Sequence, residues 1–337
     1  MSVTKPSCAI FILTQNNETR RIYLKTALYF LFKYFNKSYK HPVIIFHEGD
    51  FDERTQTDII NGVRDDCRSC VSFRALDPDD FKVPHHIDKE KLERCVATAP
   101  TPYWRNIGYR NMCRWWVVHM PRYAAGYDYV MRLDDDAFIE EALPDLFNWM
   151  QDKGLVYASN MIHTDCAMCN YGMKAFFSNM VRDSVELDAD KAKKLATIES
   201  MFEDQMLPSR SVKISPFRTL LSITQDPIPE IGEHIKVEMP TKFNNNFFIT
   251  KSSFWQREDV QAAIKAIDEN GSIYYFRWGD APLHTILIKL FAQPSEIKQS
   301  VFKYSKRMQR ESFPGNDGMF HSYMPGNYDH SSCVTDR

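Results

Sequence analysis

The chain has 337 residues, of which 44% are hydrophobic and 26% are charged. This balance excludes a disordered or fibrous protein and is sufficient for one large core or two moderate ones. The formal net charge of -2 provides no basic surface that could hold nucleic acid by counterion release, so nucleic acid is not an expected partner.

The first apolar run, Cys8–Leu13, is much shorter than the ~20 residues that span a bilayer. No charged segment with a cleavage site precedes it. The sequence as given therefore predicts no membrane span and a cytoplasmic location.

Two Cys-x-x-Cys pairs occur, at Cys67 with Cys70 and at Cys166 with Cys169. Such pairs can ligate zinc, form disulfides or remain reduced thiols. Because the pairs lie far apart in the chain and no secretory signal is present, we favour reduced thiols.

Strand and helix signals alternate through the first half, as parallel sheets require. The predicted elements are a strand at 9–13, a polar turn with a helix to about 35, a strand at 43–46, a helix at 52–63 and a strand at 71–76. A proline-containing loop then leads to a helix at 109–120 and a strand that ends at 133.

The second half is less regular. The expected elements are helices at 141–150, 253–268 and 282–291, strands at 155–159 and 247–250, and a charged helix or helix pair within 184–206. Residues 207–240 contain five prolines and little periodicity, which predicts an irregular excursion over the surface.

Three consecutive carboxylates, Asp134, Asp135 and Asp136, follow the strand that ends at 133. In an extended chain the first and third side chains point to the same side, so Asp134 and Asp136 can share one divalent cation. A cation at the end of an α/β strand is suited to neutralising a diphosphate. The alternative is a solvated acidic turn or a helix N-terminal charge cluster.

Two further blocks carry charged residues on predicted helices. Arg110 and Arg114 are four residues apart and can face one anion together, or they can form ordinary salt bridges. Asp280 lies beside a helix start, where capping alone can explain an aspartate.

Together these blocks resemble glycosyltransferase family 15, the fungal-type α-1,2-mannosyltransferases with a GT-A fold. The chain resembles a distant member of this family. The resemblance lies in Tyr109 to Arg114, Arg132 to Asp136, Arg277 to His284 and the opening Phe11 to Asn16. It extends over most of residues 8–292, and Trp-Gly-Asp-Ala-Pro at 278–282 is its most specific part.

The resemblance implies an α/β GT-A fold, a Rossmann-like mixed sheet flanked by helices in a single large domain. Residues 1–150 would form the nucleotide-sugar-binding half, and residues 151–337 the acceptor-binding half. The family members are Golgi enzymes, so the Golgi lumen is the alternative location if an N-terminal anchor has been removed.

The resemblance also implies roles for individual residues. Asp134 and Asp136 would hold Mn²⁺, or Mg²⁺, against the donor diphosphate, with His321 as a third ligand and His330 as its fallback. The expected donor-binding residues, including the two arginines inferred above, are Thr14, Gln15, Arg110, Arg114 and Asp135.

Tyr109 would lie near the reacting centre, and Asp280 would face the acceptor or the sugar. At the position of the family glutamate that is suspected of being the nucleophile, this chain has Phe248. A phenyl ring cannot attack an anomeric carbon. Three explanations are open: another carboxylate takes the role, the leaving diphosphate assists a same-face substitution without a protein nucleophile, or the protein has lost activity. We favour the same-face substitution, with Asn246 or Asp280 stabilising an oxocarbenium-like centre.

The implied function is a metal-dependent retaining transfer of a hexose, by resemblance mannose from GDP-mannose, to a hydroxyl of a glycan or glycoprotein. The alternatives are a transferase that uses another nucleotide sugar such as a UDP-sugar, a non-catalytic sugar-binding relative, and a metal-dependent phosphohydrolase. The last is disfavoured because only one acidic cluster occurs.

Overall fold

The computed structural model describes residues 5–99, 102–185, 187–208, 215–228 and 230–306, and the backbone of 312–314 and 320–322. The predicted fallback ligand His330 lies outside these residues. No helix in the described ranges is long and apolar enough to cross a membrane.

The strands are β1 Cys8–Leu13, β2 Val43–His47, β3 Val71–Ala75, β4 Tyr129–Leu133, β5 Ala137–Ile139, β6 Tyr157–Ser159, β7 Ile162–Thr164, β8 Phe202–Pro208, β9 Glu230–Ile231, β10 His234–Phe243, β11 Phe247–Lys251, β12 Ile297–Gln299, β13 Tyr304–Lys306, β14 Ser312–Pro314 and β15 Phe320–Ser322. The helices are α1 Glu18–Leu31, α2 Lys37–Tyr39, α3 Glu53–Asn61, α4 Lys89–Ala97, α5 Ile107–Arg114, α6 Met120–Ala124, α7 Leu146–Asp152, α8 Met173–Arg182, α9 Asp188–Glu199, α10 Ser215–Thr224, α11 Ser252–Trp255, α12 Glu258–Asn270, α13 Ser272–Tyr275 and α14 Asp280–Phe291. Wider π-type turns join α1 to α2 and α5 to α6.

Strands from both halves of the chain form one mixed sheet. Among the described residues it has seven strands in the order β12-β6-β11-β4-β1-β2-β3. The chain passes from β1 through β2 to β3 on one side, and β4 then returns to pair in parallel with β1 on the other side. This reversal is a topological switch point, where loops after the two strands diverge and leave a crevice at their carboxyl ends.

The sheet separates two layers of apolar side chains, as alternation along each strand requires. In β1, Phe11 faces the larger layer, whereas Ile10 and Ile12 face the other. In β11, Phe248 belongs to the larger layer and Phe247 to the other. Both layers exclude water from the sheet, which therefore forms the rigid support of the switch point.

The prediction for residues 207–240 was wrong, because most of this region is regular. It contains α10 and most of β10, which pairs antiparallel with β7, β8 and β9. Pro240 lies inside β10, where a proline lacks the N–H of a ladder donor. The prolines interrupt the region at several points, but buried residues along β10 still attach this strand to the core.

Two predicted helices also have different bounds. The helix expected at 141–150 begins later, at α7, because Asp145 accepts hydrogen bonds from the N–H groups of Phe147 and Asn148 as its N-cap. The helical region expected within 184–206 ends with α9, and the following residues form β8 instead.

Candidate active site

The three aspartates follow β4 directly at the switch point, beside the loop that follows β1. The Thr14 hydroxyl donates a hydrogen bond to Asp135 Oδ2 at 2.7 Å. Asp135 and Asp136 are 4% and 1% exposed, so they do not form a solvated turn. The fold therefore fixes the acidic cluster against the start of the first βα connection.

Three basic side chains neutralise this cluster. Arg20 Nη1 lies 2.7 Å from Asp135 Oδ1 and 3.2 Å from Asp136 Oδ2. Arg132 Nε lies 2.9 Å from Asp134 Oδ1. Lys306 Nζ lies 3.3 Å from Asp134 Oδ2 and 3.4 Å from Asp136 Oδ1. Buried carboxylates at this separation need such cations, since each raises the pKa of the others.

The electrostatic balance differs between the aspartates. Burial alone raises the pKa of Asp134, but Arg132, Lys306 and the Asn246 amide outweigh it and hold that pKa at about 2. Burial raises the pKa of Asp135 even though Arg20 opposes the shift. Asp134 is thus the more firmly ionised of these two carboxylates.

The cluster forms one wall of a cavity of about 260 Å³. Its lining residues are Leu13, Thr14, Gln15, Arg20, Phe81, Asn106, Gly108, Tyr109, Met112, Trp116, Arg132, Asp134, Asp135, Asp136, Asn245, Asn246, Asp280 and Lys306. The cavity combines acidic and basic groups with aromatic and aliphatic surface, which is the composition expected for binding a small polar ligand.

Five of the residues predicted from the sequence besides the aspartate triplet line this cavity. Thr14 and Gln15 come from the loop after β1, Tyr109 from α5, Asn246 from the residue before β11 and Asp280 from α14. The structure therefore brings residues distant in sequence to one place. The chemical role of each remains a proposal.

Asp280 is not a capping residue in this structure. The N-cap of α14 is Gly279, and no side chain caps this helix. Asp280 is 3% exposed and accepts hydrogen bonds from Arg132 Nη1, from Asn245 Nδ2 at 2.6 Å and from the Cys113 thiol at 3.5 Å. Its carboxylate is therefore held by three donors at the cavity wall.

Arg110 and Arg114 require a correction, because neither lines the cavity. Arg110 donates to the backbone carbonyl groups of Tyr274 and Trp104. Arg114 makes a bidentate ion pair with Asp268, at 2.7 and 2.9 Å. Both guanidinium groups are used to attach α5 to neighbouring elements, so the predicted diphosphate contact is wrong for this geometry.

Phe248 is fully buried in an aromatic layer. Its ring centroid lies 5.4 Å from that of Tyr157, 6.1 Å from that of Trp116 and 5.6 Å from that of His284. In the β-sheet register Phe248 is opposite Arg132. The position of the family glutamate thus holds a packing residue here, and Arg132 on the adjacent strand pairs with Asp134 and Asp280.

The side chains at the acid cluster show whether a divalent cation could bind there. Within the described ranges, no group of three or more His, Cys, Asp or Glu side chains is arranged to hold a metal. Asp134 and Asp136 nevertheless converge on one point, which the Lys306 ammonium occupies. His321, the predicted third ligand, lies in β15 opposite Phe313, and its side chain is outside the described part. The two carboxylates fit a shared cation.

Arg20 and Lys306 also contact the acid cluster, although neither was predicted as a site residue. Arg20 lies in the first turns of α1, and the parallel pairing of β1 with β4 places that helix start beside the acid cluster. The sequence pattern does not show that β1 and β4 are neighbours, so it gives no signal for Arg20. It gives none for Lys306 either, because the position of Lys306 depends on β13 pairing with β5.

Solved structures of glycosyltransferases share this fold. The chain matches the structure of the mannosyltransferase Ktr4p from S. cerevisiae in complex with GDP with a TM-score of 0.69 at 20% identity, covering 89% of this chain and 71% of that one. It matches the Mn/GDP form of core-mannan synthase A from Aspergillus fumigatus with a TM-score of 0.63 at 18% identity, covering 97% and 80%. The fold is GT-A type, as the sequence predicted.

The chain belongs to the family whose model is described as glycolipid 2-alpha-mannosyltransferase, which matches residues 2–205 and 221–310. Relatives include O-glycoside alpha-1,2-mannosyltransferase omh1 of Schizosaccharomyces pombe, 23% identical over 86% of this chain and 66% of that protein. The probable mannosyltransferase KTR4 of Saccharomyces cerevisiae is 24% identical over 78% and 52%. The chain thus spans between about half and two thirds of the length of these curated relatives.

Proposed function

We propose that this chain is a metal-dependent retaining glycosyltransferase that moves mannose from GDP-mannose to a hydroxyl of a glycan or glycoprotein. The observation that carries the proposal is the acid cluster at the switch point, facing a cavity in a chain of this family. The solved relatives with bound GDP, and with Mn and GDP, support the donor nucleotide and the cation. The cytoplasmic location and its Golgi-lumen alternative both stay predictions.

The donor diphosphate would bind at the acid cluster. Asp134 and Asp136 would hold Mn²⁺ or Mg²⁺, with His321 as the proposed third ligand. When bound, this cation supplies Lewis-acid stabilisation of the departing diphosphate. Arg20 holds Asp135 and Asp136 in place, and Asn246 Nδ2 donates to Asp134 Oδ2 at 2.7 Å. Asn246 therefore positions a cation ligand besides its proposed contact with the sugar.

Three further residues that line the cavity would also bind the donor, namely Thr14, Gln15 and Tyr109. The Tyr109 ring lies 4.3 Å from the Arg277 guanidinium, a cation–π contact that orients the ring. The start of α5 leaves little room: a side chain at Gly108 would lie 3.2 Å from Asn106 Oδ1. Gly108 therefore keeps the cavity wall close to Gln15, whose amide is 3.9 Å from the same point.

In the transfer step, the bond between the anomeric carbon and the diphosphate oxygen breaks. The acceptor oxygen forms its bond on the same face of the sugar, and its proton passes to the departing phosphate oxygen. Asp280, held by Arg132 and Asn245, would stabilise the positive charge on the sugar during this exchange. No protein nucleophile is required at the position of Phe248.

An assay with a set of different nucleotide sugars tests this function. Purified protein is incubated with Mn²⁺, mannoside acceptors and each of several GDP- and UDP-sugars, and nucleotide release is followed by chromatography. We expect release of GDP from GDP-mannose. Release from a UDP-sugar alone would support the alternative donor, whereas sugar binding without any turnover would support the non-catalytic relative.

Replacing Phe248 tests the absence of a protein nucleophile at its position. We expect Phe248→Ala to lose about 3–5 kcal/mol of folding free energy, because a fully buried ring is removed. The folded fraction should give a product of unchanged anomeric configuration, which NMR of the isolated disaccharide measures. Phe248→Leu is the milder control, with the same product and a smaller loss of stability. An inverted product from the parent protein would overturn the retaining mechanism.

A further inference from the structure

Lys306 reaches the acid cluster because of strand pairing. It is the last residue of β13, which pairs antiparallel with β5, and the register sets Lys306 opposite Ala137. Ala137 directly follows Asp136 in the chain. The backbone pairing therefore places the base of the Lys306 side chain beside the third aspartate, which is itself buried.

The ammonium of Lys306 contacts the two predicted cation ligands at once. Nζ is 3.3 Å from Asp134 Oδ2 and 3.4 Å from Asp136 Oδ1, and the lysine side chain is 28% exposed. By contrast, Arg132 and Arg20 approach these aspartates through other oxygens, Asp134 Oδ1 and Asp136 Oδ2. Lys306 thus lies between the carboxylate oxygens that a shared metal would use.

The charges of the site bear on whether a divalent cation and this ammonium could be present together. Asp134, Asp135, Asp136 and Asp280 face Arg20, Arg132 and Lys306, which leaves little uncompensated negative charge. A divalent cation entering beside the ammonium would meet like charge at contact distance, which is unfavourable in a partly buried site. A bound diphosphate would reverse this balance, since its oxygens can accept the displaced ammonium.

We propose that Lys306 occupies the cation position of the acid cluster in the nucleotide-free protein and exchanges with the divalent cation. Metal binding is then weak alone and strong with nucleotide, because the diphosphate provides new acceptors for the ammonium. This inference rests on the proposed function for the nucleotide part. The competition between Lys306 and the metal follows from the contacts of Lys306 alone.

The test is a titration of Mn²⁺ into nucleotide-free protein, with unbound Mn²⁺ measured by electron paramagnetic resonance. We expect Lys306→Met to bind Mn²⁺ more tightly than the parent by on the order of tenfold or more, since a competing charge is removed. Lys306→Arg keeps the charge and should bind as weakly as the parent. Lys303→Met, at an exposed residue of the same segment, is the matched control and should not change the affinity.

A second titration with GDP present measures the coupling. We expect GDP to strengthen Mn²⁺ binding in the parent and to do so much less in Lys306→Met. Equal nucleotide-free affinities of parent and Lys306→Met would overturn the proposal, and so would tight binding by Lys306→Arg. If GDP binds none of the proteins while Lys306→Met still gains Mn²⁺ affinity, the proposed function fails and the competition stands. Thermal melts confirm that each variant is folded.

Discussion

Asp136→Ala is expected to abolish metal-dependent donor binding while the protein remains folded. Asp136 is 1% exposed, lies 3.2 Å from Arg20 Nη1, and converges with Asp134 on one cation position. Its removal takes away half of the carboxylate pair proposed to hold the cation. We expect GDP affinity in Mn²⁺ to fall on the order of 10³-fold, the loss of several kcal/mol of charge stabilisation.

The measurement is calorimetric titration of GDP with Mn²⁺ and with a chelator. The parent should bind GDP tightly with Mn²⁺ and weakly with the chelator. Asp136→Ala should bind GDP weakly under both conditions. Asp152→Asn is a matched control, because this exposed carboxylate on α7 does not line the cavity. The fold should persist, because Arg20 keeps Asp135 and Lys306 keeps Asp134 as a charged partner when Asp136 is removed. Full metal-dependent affinity in Asp136→Ala would remove the acid cluster from the donor site.

Much of the parallel part of the fold could be predicted, because its strands are short, apolar and bounded by polar turns. β1, β2 and β3 were each expected within two residues of their observed bounds. The position of the acid cluster followed from the end of an apolar strand. Its surroundings did not, because strand order is decided by long-range packing that a periodic pattern does not encode.

The arginines show the limit of helical spacing as a signal. Arg110 and Arg114 are on one helix face, as predicted, but that face meets α12 and α13 instead of the cavity. Spacing predicts which residues point together, whereas tertiary packing decides what they meet. Arg20 lies on α1 and Arg132 on β4, and the parallel pairing of β1 with β4 brings both arginines to the acids.

Substitution of Asp280 is the second change with a large expected effect. Asp280→Asn keeps the shape of the side chain but removes the carboxylate charge that faces the cavity and Arg132. We expect kcat to fall by about 10²–10³-fold, the usual cost of losing one preorganised electrostatic group. GDP affinity in Mn²⁺ should stay within about threefold of the parent, because the acid cluster and Arg20 are unchanged.

The loss of folding free energy in Asp280→Asn has to be separated from the loss of kcat. Breaking a buried ion pair destabilises a protein by about 3–5 kcal/mol, and Asp134 remains as a second partner of Arg132, so the loss should lie at the lower end. Rates are therefore referred to the folded fraction measured by denaturant titration. Asp259→Asn, an exposed acid in the first turn of α12, is the matched control for an aspartate at a helix start. If Asp280→Asn turned over as fast as the parent per folded molecule, Asp280 would have a structural role only, and the charge on the sugar would need another partner.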